Sequence, residues 1–337
     1  MDKTVLVTGC CGYIGSHTTV ELLNSGYNVI GVDNFSNSKK TAIDNIQSIT
    51  GKSIVFYEGN VINELLLNRI FAENKVDIVI DFAAYKSVGD SVNSPISYYT
   101  NNVVSLLTLI NVMHKFNVKN LIFSSTAAVY GLNSEMPLKE SDLVGSTINP
   151  YATSKLFCER ILEDVYNSDN SWNIIIFRYF NPVGADESGL LGENPLGIPA
   201  NLMPRILDVV KGNLKEIVIY GNKYDTKDGT GVRDYIHVVD LSKAHINGID
   251  KLVKDKIGYE IYNLGTGVGY SVLEVIKTFE MVNKVKINYS IGEERTGDLA
   301  ICYASPLKAE KELSWKAEKN LADMCKDAYR TIGIQPL

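Results

Sequence analysis

The stretch Val5-Leu6-Val7-Thr8-Gly9-Cys10-Cys11-Gly12-Tyr13-Ile14-Gly15-Ser16-His17 passes from a short apolar run through three glycines into an apolar-periodic segment, Ile14 to Leu23. That passage predicts a strand, a tight turn and a helix. Gly9, Gly12 and Gly15 let the backbone turn sharply and lie against a phosphate, whose charge is met by free N–H groups and the positive end of the helix dipole. The spacing is G-x-x-G-x-x-G, and a glycine turn can equally join any strand to any helix. The flanking chain decides between the two. Asn28-Val29-Ile30-Gly31-Val32 predicts a buried strand ending on Asp33, about 20 residues past the loop, where an acid accepts hydrogen bonds from an adenosine ribose. A carboxylate there repels a 2′-phosphate, so loop and acid together favour NAD over NADP.

Working outward, the pattern predicts helices over 39–50, 64–74, 96–116 and 151–166, alternating with strands over 53–57, 77–82, 120–125 and 173–178. Regular alternation with apolar strands implies a parallel sheet covered on both faces, with ligands beyond the carboxyl ends of the strands. Asp33, Phe82, Ser124 and Tyr179 fall at such ends. Residues 181–201 are rich in glycine, proline and asparagine and predict a loop over a cleft. Beyond it, helices over 202–211, 239–253 and 272–282 mix with strands over 217–220, 259–263 and 287–291. The expected fold is α/β: a doubly wound parallel sheet (Rossmann) over 1–180, with a smaller mixed α/β substrate lobe over 181–337. Some chain is expected to cross back to the first domain.

Composition narrows the function classes. The chain has 337 residues, 45% hydrophobic and 21% charged, with no stretch near the ~20 apolar residues of a membrane helix. Its first strand begins almost at once, leaving no room for a signal peptide, so the cytoplasm is expected. Five cysteines, Cys10, Cys11, Cys158, Cys302 and Cys325, show no C-x-x-C spacing, which predicts free thiols. The four histidines, His17, His114, His237 and His245, form no ligand spacing, and no metal centre is expected. A net charge of -6 argues against a nucleic-acid partner.

The chemistry is carried by Ser124-Ser125-Thr126 at a strand end and by Asn149-Pro150-Tyr151-Ala152-Thr153-Ser154-Lys155. Asn149 suits a helix cap and Pro150 a first helical position, so Tyr151 and Lys155 stand one turn apart on one face. Moving a tyrosine from a pKa of about 10 to near 7 takes roughly 4 kcal/mol. One unit charge about 4 Å away, at an effective dielectric near 20, supplies about that much. Lys155, aided by an oxidised nicotinamide, is thus expected to prepare the phenolate, with Thr126 sharing a hydrogen bond with the same substrate oxygen. Tyr-x-x-x-Lys alone is more often an amphipathic helix with a solvated lysine; the dinucleotide loop and the hydroxyl-rich strand end reverse that reading.

These motifs resemble the extended short-chain dehydrogenase/reductase family and, within it, the UDP-sugar 4-epimerases. The similarity runs over essentially the whole chain. It includes Asp81-Phe82-Ala83-Ala84-Tyr85-Lys86, Tyr99-Thr100-Asn101-Asn102, Arg178-Tyr179-Phe180-Asn181-Pro182, Gly197-Ile198-Pro199-Ala200-Asn201-Leu202 and Gly229-Thr230-Gly231-Val232-Arg233-Asp234-Tyr235. The resemblance implies reversible epimerisation at C4 of UDP-glucose and UDP-galactose through a 4-keto intermediate, with NAD tightly held, and a homodimer. It makes Tyr151 the base, Lys155 its electrostatic partner and ribose contact, and Thr126 the assisting hydroxyl. It lays the cofactor along Gly9, Gly12, Tyr13, Ile14 and Gly15, then Asp33, Asn34, Ser36, Asn37 and Ser38. Asn60, Val61, Phe82, Ala83, Ala84, Lys86, Asn101, Ser124, Tyr179 and Phe180 continue that path. The UDP-sugar falls to Lys86, Asn181, Asn201, Leu202, Val218, Ile219, Tyr220, Tyr235 and Cys302, with Arg233 and Arg295 on the diphosphate and Asp298 on the uridine ribose. Without the resemblance, surface ion pairing, with Arg233 meeting Asp234, is the simpler reading of those charges.

Departures from the family pattern carry expectations of their own. Asn60 stands where an aspartate commonly accepts from adenine; its amide oxygen still accepts, so weaker or reoriented adenine binding is expected. Thr126 replaces a serine and keeps the hydroxyl. Cys302, in Gly297-Asp298-Leu299-Ala300-Ile301-Cys302, replaces a tyrosine found in some members and resembles those that also take N-acetylated sugars. Two alternatives stand beside the epimerase. A 4,6-dehydratase needs an acid and a base directly after Thr126, where this chain has Ala127-Ala128. A non-catalytic dinucleotide sensor has no need of Tyr151 and Lys155.

Overall fold

The computed structural model describes residues 3–132, 135–197, 199–295 and 298–333; Ile198 and Gly297 of the quoted motifs lie outside the described residues. The first half alternates strands Thr4–Thr8 (β1), Asn28–Asp33 (β2), Val55–Glu58 (β3), Ile78–Asp81 (β4), Asn120–Thr126 (β5) and Asn173–Tyr179 (β6) with helices. Those helices are Tyr13–Asn24 (α1), Thr41–Thr50 (α2), Glu64–Glu73 (α3), Val88–Asn93 (α4), Pro95–Tyr99 (α5), Ser105–Lys115 (α6) and Pro150–Ser168 (α7). The second half holds strands Asn181–Val183 (β7), Ile217–Tyr220 (β8), Val232–His237 (β9), Tyr259–Leu264 (β10), Gly269–Ser271 (β11), Tyr289–Gly292 (β12) and Ile301–Cys302 (β13). Its helices are Leu202–Val210 (α8), Val238–Lys254 (α9), Val272–Asn283 (α10), Leu307–Leu313 (α11) and Leu321–Arg330 (α12).

A seven-stranded sheet runs in the order β10-β6-β5-β4-β1-β2-β3, every pair parallel. Its central strands are buried on both faces, with separate apolar clusters around Val7, Ile122 and Phe177 on one side and Leu6, Leu121 and Ile176 on the other. The chain order reverses between β1 and β4, the switch point at which such sheets bind ligands. β10 belongs to this sheet, pairing with β6 from Tyr259↔Ile174 to Leu264↔Tyr179, and α9 packs on α1. Both the strand and the helix come from the second half of the chain. The smaller lobe holds β11-β9-β13 with β7 beside β9, a separate β12-β8 pair, and α8, α10 and α12 around Ile206, Ile276, Phe279 and Met324. Among the described residues, no helix is long and apolar enough to cross a membrane.

The single helix predicted over 96–116 is in three parts: α5, a π-helical turn Thr100–Val104, and α6, with α4 preceding them. The wider turn has a physical use. It brings Asn102 inward, where its Oδ1 accepts from Tyr85 N–H at 2.8 Å and its Nδ2 donates to Tyr85 O at 3.0 Å and to Ser154 Oγ at 3.0 Å. One buried amide thus ties the loop after β4 to α7.

Candidate active site

A crevice of about 990 Å³ crosses the carboxyl ends of the central strands and continues onto the smaller lobe, at the upper end of the ~300–1,000 Å³ usual for small-molecule clefts. The expected dinucleotide positions, from Gly9 through Ser38, Asn60, Val61, the β4 end, Lys86 and Asn101 to Phe180, all line it.

The glycine turn is tight by contact. At Gly9, with φ +66, a Cβ would stand 3.1 Å from Ala83 N, and one on Gly15 would stand 2.1 Å from Gly9 O. Gly12 caps α1 without a side-chain bond, so the first N–H groups of the helix open toward the crevice. Asp33 is held in place: Oδ1 accepts from Phe35 N–H at 2.9 Å and Ser38 Oγ–H at 2.7 Å, and Oδ2 accepts from Cys11 N–H at 2.9 Å. An ionised carboxylate has about four acceptor sites, leaving one for a ribose hydroxyl. A close glycine turn, open helix N–H groups and an oriented acid fit a dinucleotide. Thr8 shapes the opposite wall by donating to Asp81 Oδ1 at 2.5 Å and accepting from Phe82 N–H at 3.2 Å and Ala83 N–H at 3.1 Å. Cys10 and Cys11 sit inside the turn with their sulfurs 3.8 Å apart, both within 4.8 Å of an Asp33 oxygen. The hydrogen bond shared with Cys11, and then burial, hold the Cys10 thiol well above its ordinary pKa, and a Cβ on Gly31 would lie 2.5 Å from Cys10 Sγ. Gly31 is therefore small to make room for that sulfur.

α7 forms as its sequence predicts: Asn149 Oδ1 accepts from Ala152 N–H at 2.8 Å and Pro150 opens the helix. Tyr151 and Lys155 both reach the crevice beside Thr126. The lysine is not paired with the tyrosine, however. Its Nζ donates to Ser124 O at 2.7 Å, and burial lowers its pKa. Burial pushes the Tyr151 phenol up to about 12, against a hydrogen bond from Thr126 that lowers it. The expected phenolate thus faces a larger cost than the sequence suggested. Bringing it from about 12 to near 7 takes about 7 kcal/mol, beyond the ~4 kcal/mol that one unit charge 4 Å away supplies.

Behind these groups, Glu159 continues the Tyr151–Lys155 face of α7. It accepts from Ser125 Oγ, from Arg178 Nε at 3.1 Å and from Arg178 Nη2 at 2.7 Å. Arg178 lies opposite Ser125 on β6, and both ion-pair side chains are buried. This clamp fixes α7 against β5 and so sets where Tyr151 meets Thr126. Tyr179 donates to His245 Nε2 at 2.7 Å while His245 Nδ1 bonds Leu241 O at 2.9 Å, a neutral imidazole whose pKa burial lowers to about 4.

On the other wall stand Asn181, Asn201, Leu202, Arg233, Tyr235, Asp298 and Cys302. Arg233 does not meet Asp234. It pairs with Asp298 at 2.5 Å, while Asp234 is taken up by Thr266, Gly267 and Ala304. Val218, Ile219, Tyr220 and Arg295 stand outside the crevice walls. β8 pairs with β12, its alternation buries Ile217 and Ile219 in the C-terminal core, and the Arg295 guanidinium stacks over the Tyr220 ring at 3.9 Å. Asn60 also differs from expectation: its Oδ1 accepts from Ile62 N–H at 2.9 Å, so part of its acceptor capacity toward adenine is spent locally.

Sequence reasoning missed Glu193, Asn102 and the Glu159–Arg178 clamp. Asn102 and Arg178 stood inside the quoted motifs without a role, and Glu193 stood as an acid inside the loop predicted to cover the cleft.

A tyrosine and a lysine one turn apart on a helix that faces a dinucleotide crevice place the chain among the extended short-chain dehydrogenase/reductases. Residues 6–328 match the family model described as GDP-mannose 4,6 dehydratase. The UDP-glucose 4-epimerase of Bifidobacterium longum is 58% identical over 321 residues, 95% of this chain and 94% of that protein. That of Bacillus subtilis is 48% identical over 97% of this chain and 96% of its own. The crystal structure of the Bifidobacterium longum enzyme in complex with NAD+ and UDP superposes with a TM-score of 0.95 at 56% identity, covering 98% of each chain. The chain belongs to the UDP-glucose 4-epimerase family.

Proposed function

We propose that the protein interconverts UDP-glucose and UDP-galactose by reversible oxidation at C4, with NAD bound along the strand-end crevice. The observation that carries this reading is the Tyr151–Thr126 pair set beside Lys155 in a crevice that runs from the glycine turn at Gly9 to Arg233 and Asp298. The α1 N-terminus, Asp33, Lys86, Ser124 and Lys155, which line that crevice, would hold the cofactor. When bound, it would supply the acceptor and return donor of the C4 hydride.

Tyr151 takes the O4 proton and later returns it, and Thr126, hydrogen-bonded to the phenol, shares the same oxygen. Lys155 is locked by Ser124 as a buried cation in the site. Burial raises the cost of ionising Tyr151, and the hydrogen bond with Thr126 lowers it. Arg233 leaves Asp298 to meet the diphosphate, while Asn181 and Asn201 hold the sugar loosely enough for the 4-keto intermediate to turn and present its other face.

Ala127 and Ala128 line the crevice directly after Thr126 and offer neither the acid nor the base that a 4,6-dehydratase requires. Incubating the purified protein with UDP-galactose and no added NAD tests the reading. UDP-glucose should form, and a 4-keto-6-deoxy sugar would refute it.

The free state of Cys10, Cys11, Cys158, Cys302 and Cys325 supports a reducing, cytoplasmic compartment. Exposed apolar side chains on α5, α6 and α7, notably Ile96, Leu107 and Phe157, support a homodimer through that face. Sedimentation equilibrium tests the dimer.

A further inference from the structure

Glu193 lies on the segment 184–197, which crosses the crevice as a strap. The strap is tacked down at several points. Tyr13 Oη donates to Gly184 O at 2.7 Å, Asp186 N–H donates to His17 Nε2 at 3.0 Å, Asn45 Nδ2 donates to Leu190 O at 2.8 Å, and Leu196 N–H donates to Asn37 Oδ1 at 3.0 Å. These anchors are on α1, α2 and the loop after β2, all on the adenosine side of the cleft.

The carboxylate of Glu193 joins the strap to the remaining walls. Its Oε1 accepts from Lys86 Nζ at 2.6 Å and from Asn201 Nδ2 at 2.7 Å. Lys86 follows β4 in the large sheet, and Asn201 caps α8 in the smaller lobe. The Glu193 side chain is only 7% exposed, against 45% for Lys86. Within this enclosure the lysine ammonium and the amide donor both meet one carboxylate oxygen, and those two bonds fix Lys86 and Asn201 to the strap. Lys86, Asn201 and Glu193 all line the crevice.

We propose that Glu193 is a positioning residue, a latch that holds the strap closed over the dinucleotide and sets Lys86 and Asn201 on the two walls for their ligands. The inference rests on the NAD and UDP-sugar reading above. It accounts for a requirement of that reaction: the sugar turns within the site while the cofactor stays, so something other than substrate must keep the cleft shut on the cofactor side.

The test is the exchange of protein-bound NAD against excess deuterated NAD, followed by mass spectrometry of the nucleotide retained after rapid gel filtration. Glu193→Ala should release NAD about tenfold faster than wild type. Glu193→Gln, isosteric and able to accept the same two bonds without charge, should fall between and keeps the test open if the alanine variant folds poorly. The KM for UDP-galactose should rise in step, with kcat changed less.

Unchanged release in both variants would overturn the latch. So would slower release, which would mean that the carboxylate competes with the ligand for Lys86. A wild-type protein that retains NAD but does not epimerise would refute the functional reading while leaving the exchange result to judge the latch. One that retains no NAD would overturn both.

Discussion

Replacing Gly15 by alanine sets two effects of opposite sign against each other. Gly15 is the third residue of α1, and by helix propensity alone alanine should stabilise the protein by about 0.8–1.0 kcal/mol. The turn forbids it. The new Cβ would stand 2.1 Å from Gly9 O, 2.9 Å from Gly9 C and 3.1 Å from Cys10 Cα, all backbone atoms with no rotamer to yield. Gly9 O cannot move freely either, because it accepts from Gly12 N–H at 3.0 Å while Gly9 N–H donates to Val32 O at 2.8 Å. Overpacking of this kind costs about 1–3 kcal/mol, and losing the Gly12 bond about 1 kcal/mol more. The net expectation is a loss of about 1–3 kcal/mol, together with NAD retention, since the displaced atoms form the phosphate turn. Gly89→Ala is the matched control: it is helical in α4, with nothing within 4 Å of an added Cβ, and should gain up to about 1 kcal/mol. Urea midpoints by circular dichroism at one fixed NAD concentration, with bound nucleotide measured separately, distinguish the outcomes. A Gly15→Ala protein as stable as wild type and fully loaded would refute the reasoning.

Tyr151→Phe should lower kcat about 10²–10⁴-fold while leaving bound NAD in place, the range for loss of a positioned acid–base group; near-normal turnover would remove Tyr151 from the role. Glu159→Gln should cost about 3–5 kcal/mol of stability by leaving Arg178 buried and uncompensated, whereas replacing both partners with methionine should cost less. Chemical denaturation of the two variants checks that order. His17 and His245 are each lowered to about 4 by burial, so the unfolded chain binds protons more readily below pH 6.5. Their stabilising contribution is complete above pH 6.5 and is lost as the pH falls through about 4, and imidazole NMR signals titrating near 6.5 would contradict it. Cys302, on the crevice wall, leaves room beside the sugar. Cys302→Tyr should depress turnover of UDP-N-acetylglucosamine more than that of UDP-glucose, and equal effects on both would remove the specificity argument.

What the sequence alone determined is what short-range geometry controls. The glycine turn, the acid closing β2, the Asn149–Pro150 helix start and the one-turn spacing of Tyr151 and Lys155 depend on neighbours a few residues apart, and each was legible from spacing and residue type. The regular alternation likewise announced the parallel sheet.

Tertiary structure decided whatever depends on which distant segments meet. Nothing local in Glu193 shows that it will reach Lys86, 107 positions away, and nothing local in Glu159 shows that Arg178 and Ser125 will enclose it. The π-helical turn has the residue pattern of an ordinary helix, because it is the buried bonds of Asn102 across the fold that hold the wider turn. β10 joins the large sheet although it follows the smaller lobe's first strands, since its apolar face is covered there. Arg295 stacks on Tyr220, while Arg233 faces Asp298 in the crevice, a choice between two similar arginines made by the folding of the lobe around them. The ionisation of Tyr151 follows the same division: its place one turn from a lysine was written in the sequence, but burial in the folded site pushes its pKa up to about 12 against a hydrogen bond with Thr126.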